Sequence, residues 1–244
     1  MVKTVRYSDP RYVGDPVNVI NLFNRFEVDE IALLDIRATV NGVDPSYSLI
    51  EELASECWVP LAYGGGIQDL EQIRRILKLG VEKIVIGTAA ADSPALVRAA
   101  ADTFGSQAVV VSIDVRHTRG GYVVCVESAR RSVGLEPVAY AQRAAAMGAG
   151  EILLNAVDRD GTMEGYDLAL IEAVSRAVDV PVIACGGAGD RADLAGPLLR
   201  GASAVAAGSL FVYRGKERGV LINFPERDAL EAMLEPVRRP PRQA

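Results

Sequence analysis

The sequence predicts the α/β class, as a (β/α)8 TIM barrel of two half-barrel repeats whose first strand is missing from this chain. Three observations carry that reading. Short apolar runs alternate with amphipathic stretches along almost all of the 244 residues, which is the rhythm of parallel βαβ units. The stretch from Val59 to Thr88 recurs from Val180 to Ser209, pairing Gly65 with Gly186, Gly66 with Gly187, Asp69 with Asp190, Gly80 with Gly201 and Thr88 with Ser209. Each pair is offset by 121 positions (186 minus 65), about half the chain, so two related halves are expected. Finally, 244 residues with 50% hydrophobic content can bury one large core, and barrels of this kind reach that size as single domains.

Taken in order, residues 1–14 carry Lys3, Arg6 and Arg11 among few apolar positions and read as an exposed loop. Asp15-Pro16 starts a helix through about Glu27, because Pro fits the first helical position. The run from Glu30 to Ile36 is a buried strand ending in Asp35. A turn over 39–44 and a helix over 45–56 lead to Leu61, Ala62 and Tyr63, a second strand followed by glycines. Asp69 then caps a helix with Leu70, Ile73, Ile76 and Leu77 on one face, and Gly80 ends it. A strand over Lys83–Ile86 precedes Gly87-Thr88, and a helix over about 93–103 follows. The strand 108–115 carries Asp114 near its carboxyl end.

From 116 to 134 the pattern becomes that of an inserted β-hairpin. A helix over 137–147, a strand over 151–157, the polar loop D-R-D-G-T-M-E-G and a helix reaching Val178 follow, and the repeat unit from Val180 completes the second half. An irregular stretch to Phe224, a helix over about 225–234 and a basic, proline-rich tail close the chain. One domain over 1–244 is expected, with half-barrels of about 1–120 and 121–235 and a disordered tail at 236–244. Strands near residues 31, 61, 84, 110, 152, 182 and 205 make seven, one short of a closed barrel. The repeat places the missing one, since the mate of Asp114 falls at −7 (114 minus 121), upstream of Met1.

The net charge of −6 argues against a general nucleic-acid surface. Cys57, Cys125 and Cys185 are odd in number and set in apolar contexts, which suits reduced thiols. They lack ligand spacing, and the single histidine, His117, lies in a polar turn, so neither a metal nor a cofactor is expected. No apolar run approaches the ~20 residues of a membrane span and no signal peptide is visible. A cytoplasmic protein that binds neither nucleic acid nor membrane is expected.

Strand, glycine turn and helix start together present free backbone N–H groups, a cradle for phosphate. Two such turns in register suggest two anion sites across a barrel mouth, suiting a small molecule phosphorylated at both ends. In a barrel the site lies at the carboxyl ends of the strands. Asp35, Thr88, Asp114, Asp158, Asp160 and Ser209 all fall there, and Asp114, near the middle, is placed to act as a general acid or base.

The runs F-G-S-Q-A-V-V-V-S-I-D-V (104–115), G-A-G-E-I-L-L-N (148–155), D-R-D-G-T (158–162), G-Y-D (165–167) and C-G-G-A-G (185–189) resemble the cyclase subunit of imidazole glycerol phosphate synthase over nearly the whole chain. The resemblance implies an enzyme, a cyclase-type lyase of histidine biosynthesis. Such a lyase takes ammonia from a glutaminase partner docked at the amino-terminal barrel face and adds it to a doubly phosphorylated ribulosyl intermediate. It further implies Asp114 as a catalytic aspartate, Gly65, Gly66 and Thr88 as one phosphate site, and Asp160, Gly161, Gly186, Gly187 and Ser209 as the other. Lys3 resembles the lysine of a mobile loop over the substrate, with Asp35 also at the mouth, and Glu30, Lys83 and Glu151 resemble a charged ring that admits ammonia. The family's other catalytic aspartate belongs on the first strand, so a chain with Asp114 alone is expected to be impaired. Gly87 and the wording A-Y-G-G-G-I and T-M-E-G-Y-D depart from the histidine enzyme. With the opening residues, they look more like a paralogous branch found with surface-polysaccharide genes, in which ammonia serves to amidinate a sugar. A non-catalytic ammonia-conducting barrel is the third reading.

Overall fold

The structure, a computed structural model, describes residues 1–215 and 217–238. After an amino-terminal hairpin of β1 (Val2–Val5) and β2 (Ser8–Tyr12), strands and helices alternate. In the first half these are α1 (Pro16–Arg25), β3 (Ile31–Leu34), α2 (Ala38–Asn41), α3 (Tyr47–Glu56), β4 (Leu61–Gly64), α4 (Leu70–Lys78), β5 (Lys83–Ile86), α5 (Thr88–Asp92) and α6 (Pro94–Phe104). The second half runs through β6 (Val109–Thr118), β7 (Gly121–Val126), β8 (Arg131–Ser132), α7 (Pro137–Ala146), β9 (Glu151–Ala156), α8 (Leu168–Ser175), β10 (Val182–Cys185), α9 (Ala195–Leu199) and β11 (Ala204–Val205). It closes with α10 (Ser209–Val212), a hairpin of β12 (Tyr213–Arg214) and β13 (Gly219–Val220), and α11 (Arg227–Arg238).

Seven strands form one curled parallel sheet in the order β11-β10-β9-β6-β5-β4-β3, the sheet of a β/α barrel. β6 runs on past the others and pairs antiparallel with β7, which pairs with β8, so the expected inserted hairpin is present. The strands are apolar on both faces because both are covered. Ile84, Ile86, Val109, Val111, Ile113 and Ile152 belong to the main cluster under the helices, whereas Ala62, Val85, Val110 and Leu153, with Ile183 and Cys185 beside them, form a separate inner cluster. Fully burying each large aliphatic side chain contributes roughly 1.5–3 kcal/mol.

The duplication shows in the local geometry. Asp69 accepts from the Gln72 amide at the head of α4, and Asp190 from the Ala192 amide at the equivalent point. Gly80 and Gly201, each ending a helical stretch, have φ of 99° and 95°.

Three expectations need correction. Residues 1–14 are not a loop but the β1-β2 hairpin, closed by the Met1 ammonium on the Gly14 carbonyl at 2.6 Å and by the Val13 amide on the Met1 carbonyl. It is tied to the loop after β9 by the Arg6 amide on the Asp160 carbonyl and Arg6 Nε on the Asp158 carbonyl. These bonds come from residues about 150 positions away, and Arg6, Tyr7 and Asp9 take left-handed φ of 50°, 62° and 52° to make them. The stretch to Phe224 contains α10 and the β12-β13 hairpin. Finally, α11 continues through Pro236 to Arg238, so 236–238 are helical; the rest of the tail placed at 236–244 lies outside the described residues.

Among the described residues β3 and β11 each have one parallel neighbour. Ile31 donates to the Pro60 carbonyl just before β4 and Asp35 to the Gly64 carbonyl at its end, so by alternation the Ala32 and Leu34 amides face away from the sheet. Leu34 lies on the inner face beside Gly64 yet is 44% exposed, as expected of a lining residue next to an unpaired edge. In hydrogen exchange, Ala32 and Leu34 are expected to exchange at least about tenfold faster than Val110 and Ile152; equal protection would show the edge to be covered.

Candidate functional site

Because all seven sheet strands are parallel, their carboxyl ends open onto one rim. The turns after β4 and β5 lie on one side of it, those after β10 and β11 on the other, with β6 and β9 between. Asp114 on β6 is in register with Asn155 on β9.

The glycine turns are sterically required. Gly65 has φ 122° and Gly186 φ 90°, and a Cβ would strike the Asp35 carbonyl oxygen at the first and Asn155 Oδ1 at the second. On the first side, the Gly66 amide donates to Thr39 Oγ1 at 3.2 Å, and Thr88 Oγ1 accepts from the Glu127 amide at 3.0 Å. On the second side, Asp160, Gly161, Gly186, Gly187 and Ser209 line one small cavity of about 40 Å³ together with Lys3. The hairpin carries Lys3 there, and a Cβ on Gly208 would collide with its Nζ. Burial raises the Asp160 carboxyl, with Lys3 and Thr4 pulling it back.

Sequence reasoning missed two residues at the centre. The Tyr7 hydroxyl donates to Asp114 Oδ1 at 2.6 Å, and Asn155 Nδ2 donates to the Tyr7 oxygen at 2.6 Å. Tyr7 packs against Cys125, Ala129 and Val157. Its tyrosine identity between polar neighbours was the one available signal; nothing marked Asn155 except an amide inside an apolar strand. Burial pushes the Asp114 carboxyl up to about 6, its bond to Tyr7 lowers it, the Asp160 charge raises it, and Asn155 lowers it. The Cys185 thiol is pushed up to about 12 by burial and the neighbouring Asp160, so it is neutral.

Asp35 turns back on its own chain, accepting from the Arg37 and Ala38 amides at 2.9 and 3.0 Å, the capping role of a short acidic side chain. Asp158 accepts from the His117 amide at 2.6 Å and lines a cavity of about 260 Å³ with Tyr122, Arg159 and Asp167, beside the β6 extension. At the opposite end, Lys83 Nζ lies 2.7 Å from Glu30 and 2.9 Å from Glu151. Burial works against its charge, but both carboxylates outweigh that and raise its pKa.

An acid with a raised folded-state pKa stabilises the fold while neutral, and that stability is lost as pH rises through about 6. Asp114→Asn, which keeps an acceptor for Tyr7, should therefore gain stability over wild type by up to about 3 kcal/mol at pH ~7.5. The gain should vanish as pH falls toward ~4, as denaturant melts at several pH values can read.

Residues 1–217 match the family model described as "Histidine biosynthesis protein". The chain is 51% identical to the "Putative imidazole glycerol phosphate synthase subunit hisF2" of Pseudomonas aeruginosa, over 95% of this chain and 93% of that protein. It is 42% identical to the imidazole glycerol phosphate synthase subunit HisF of Frankia casuarinae, over 87% of this chain and 85% of the other. With the Streptomyces griseus HisF subunit the identity is 40%, over 98% and 93%. A parallel barrel sheet, duplicated glycine turns and these matches agree, and the chain belongs to the histidine biosynthesis protein family, beside the HisF subunits of imidazole glycerol phosphate synthase.

Proposed function

We propose that this protein is a cyclase-type lyase that adds ammonia to a doubly phosphorylated ribulosyl aminoimidazole intermediate, yielding imidazole glycerol phosphate and an aminoimidazole carboxamide ribotide. The observation that carries the reading is one carboxyl group on β6 between two glycine turns on a single rim. The turn with Gly65, Gly66 and Thr88 would hold one phosphate. The cavity of Lys3, Gly186, Gly187 and Ser209 would hold the other, with the ammonium of Lys3 as counter-charge. Ammonia adding to a ketose carbonyl requires a proton to reach the oxygen and another to leave the nitrogen. A carboxyl group titrating near 6 exchanges protons in both directions near neutral pH.

Ammonia would come from a glutaminase subunit on the opposite face, where Glu30, Lys83 and Glu151 meet. Trp58, 78% exposed and three positions before β4, is on the same end and suits a partner contact. A second reading is favoured by the departures from the histidine enzyme's wording at Gly87 and in the runs 62–67 and 162–167. It keeps the glutaminase coupling and replaces the acceptor by a surface-polysaccharide sugar that is amidinated.

Expression in a histidine auxotroph lacking the cyclase should restore growth, more slowly than an enzyme with both catalytic aspartates, and Asp114→Asn should not. Failure of the soluble wild-type protein would reject the first reading. In the reconstituted complex, Lys83→Ala should lower glutamine-driven turnover at least about tenfold relative to turnover with added ammonium salts. An unchanged ratio would remove the charged trio from the ammonia route.

A further inference from the structure

One residue that touches the proposed catalytic carboxyl, Tyr7, comes from the amino-terminal hairpin and not from the barrel. Tyr7 meets Asp114 and Asn155 through one oxygen, giving a directed chain from the Asn155 amide to the phenol and from the phenol to Asp114 Oδ1. Asn155 Nδ2 can only donate, so it occupies a lone pair of the phenol oxygen and leaves the phenolic hydrogen to the carboxylate. The hairpin adopts left-handed backbone at Arg6 and Tyr7, where L-residues are uncommon, and this conformation aims the phenol inward. Arg6 on the carbonyls of Asp158 and Asp160 holds it there.

We propose that Tyr7 is a positioning residue for Asp114. Its hydroxyl, anchored by Asn155, engages Oδ1, fixes the plane of the carboxyl group and leaves Oδ2 for proton exchange with the substrate. The hairpin thus brings two groups to the site, Lys3 to the anion cavity and Tyr7 to the carboxyl, and folding it over the mouth completes both at once. A neutral phenol adds a donor to Asp114 without adding the charge that a second carboxylate would.

The groups bearing on this contact are few. Asp160, from the loop after β9, faces both Asp114 and Tyr7, and Cys185 on β10 faces Tyr7. Lys3 reaches Asp160 and Cys185, and Cys125 on β7 feels Asp114 with Arg116 and Asp158.

The proposal rests on Asp114 being the reactive carboxyl of the reading above, but its test needs no substrate, so the two can fail separately. In full-length protein with isotope-labelled aspartate, the Asp114 carboxyl is titrated by NMR. Tyr7→Phe keeps the ring and removes the donor, so the Asp114 midpoint should rise by about one pH unit. A fluorinated tyrosine at position 7, with a more acidic phenol, should lower it. In turnover, Tyr7→Phe should reduce kcat with little change in KM and move the acidic limb of the pH profile upward by the same amount. An unchanged midpoint would overturn the proposal. A midpoint that falls in Tyr7→Phe would also overturn it, showing that the phenol merely holds the hairpin shut and that Asp114 becomes hydrated when it is lost.

Discussion

Everything at the rim depends on the strands of the main sheet running in one direction. A parallel strand delivers its carboxyl end to the same side as each neighbour, so residues far apart in sequence meet there without long-range design of each contact. Once β4, β5, β6, β9 and β10 are in register, Asp114 and Asn155 must be adjacent, and the turns at Gly65 and Gly186 must flank them. The amino ends gather by the same logic, which is how Glu30 and Glu151 come to share the ammonium of Lys83.

The two ends answer the problem of buried charge differently. At the amino end a lysine is paired with two carboxylates, so charge is kept by compensation. At the rim Asp114 receives a hydrogen from a neutral phenol and no directly bonded cation, and its affinity for a proton rises instead. Compensation fixes a structure, whereas an unneutralised acid remains able to exchange protons near neutral pH.

What was legible in the sequence was local. Alternating apolar runs, the helix starts at Asp15 and Asp69 and the paired glycines follow rules acting within a few residues, and the repeat doubled their weight. Asp114 could be placed because it lies near the end of a recognisable apolar run, although β6 continues past it to Thr118. The hairpin at residues 2–12 could not, since its folding is decided by contacts with Asp114, Asn155 and Asp160, more than 100 positions away. Asp35 shows the converse: its position at a strand end was read correctly, but its carboxylate is spent on the Arg37 and Ala38 amides.

The trio at the amino end also shows where the halves have ceased to be interchangeable. Glu30 and Glu151 are equivalent under the offset of 121, but the counterpart of Lys83 (83 plus 121) is Ala204. Fusing the first half to a copy of itself would assemble two glutamates with two lysines, a balanced set. Fusing the second half to itself would leave two glutamates there without that lysine, so the two homodimeric barrels would differ by two cations at this end.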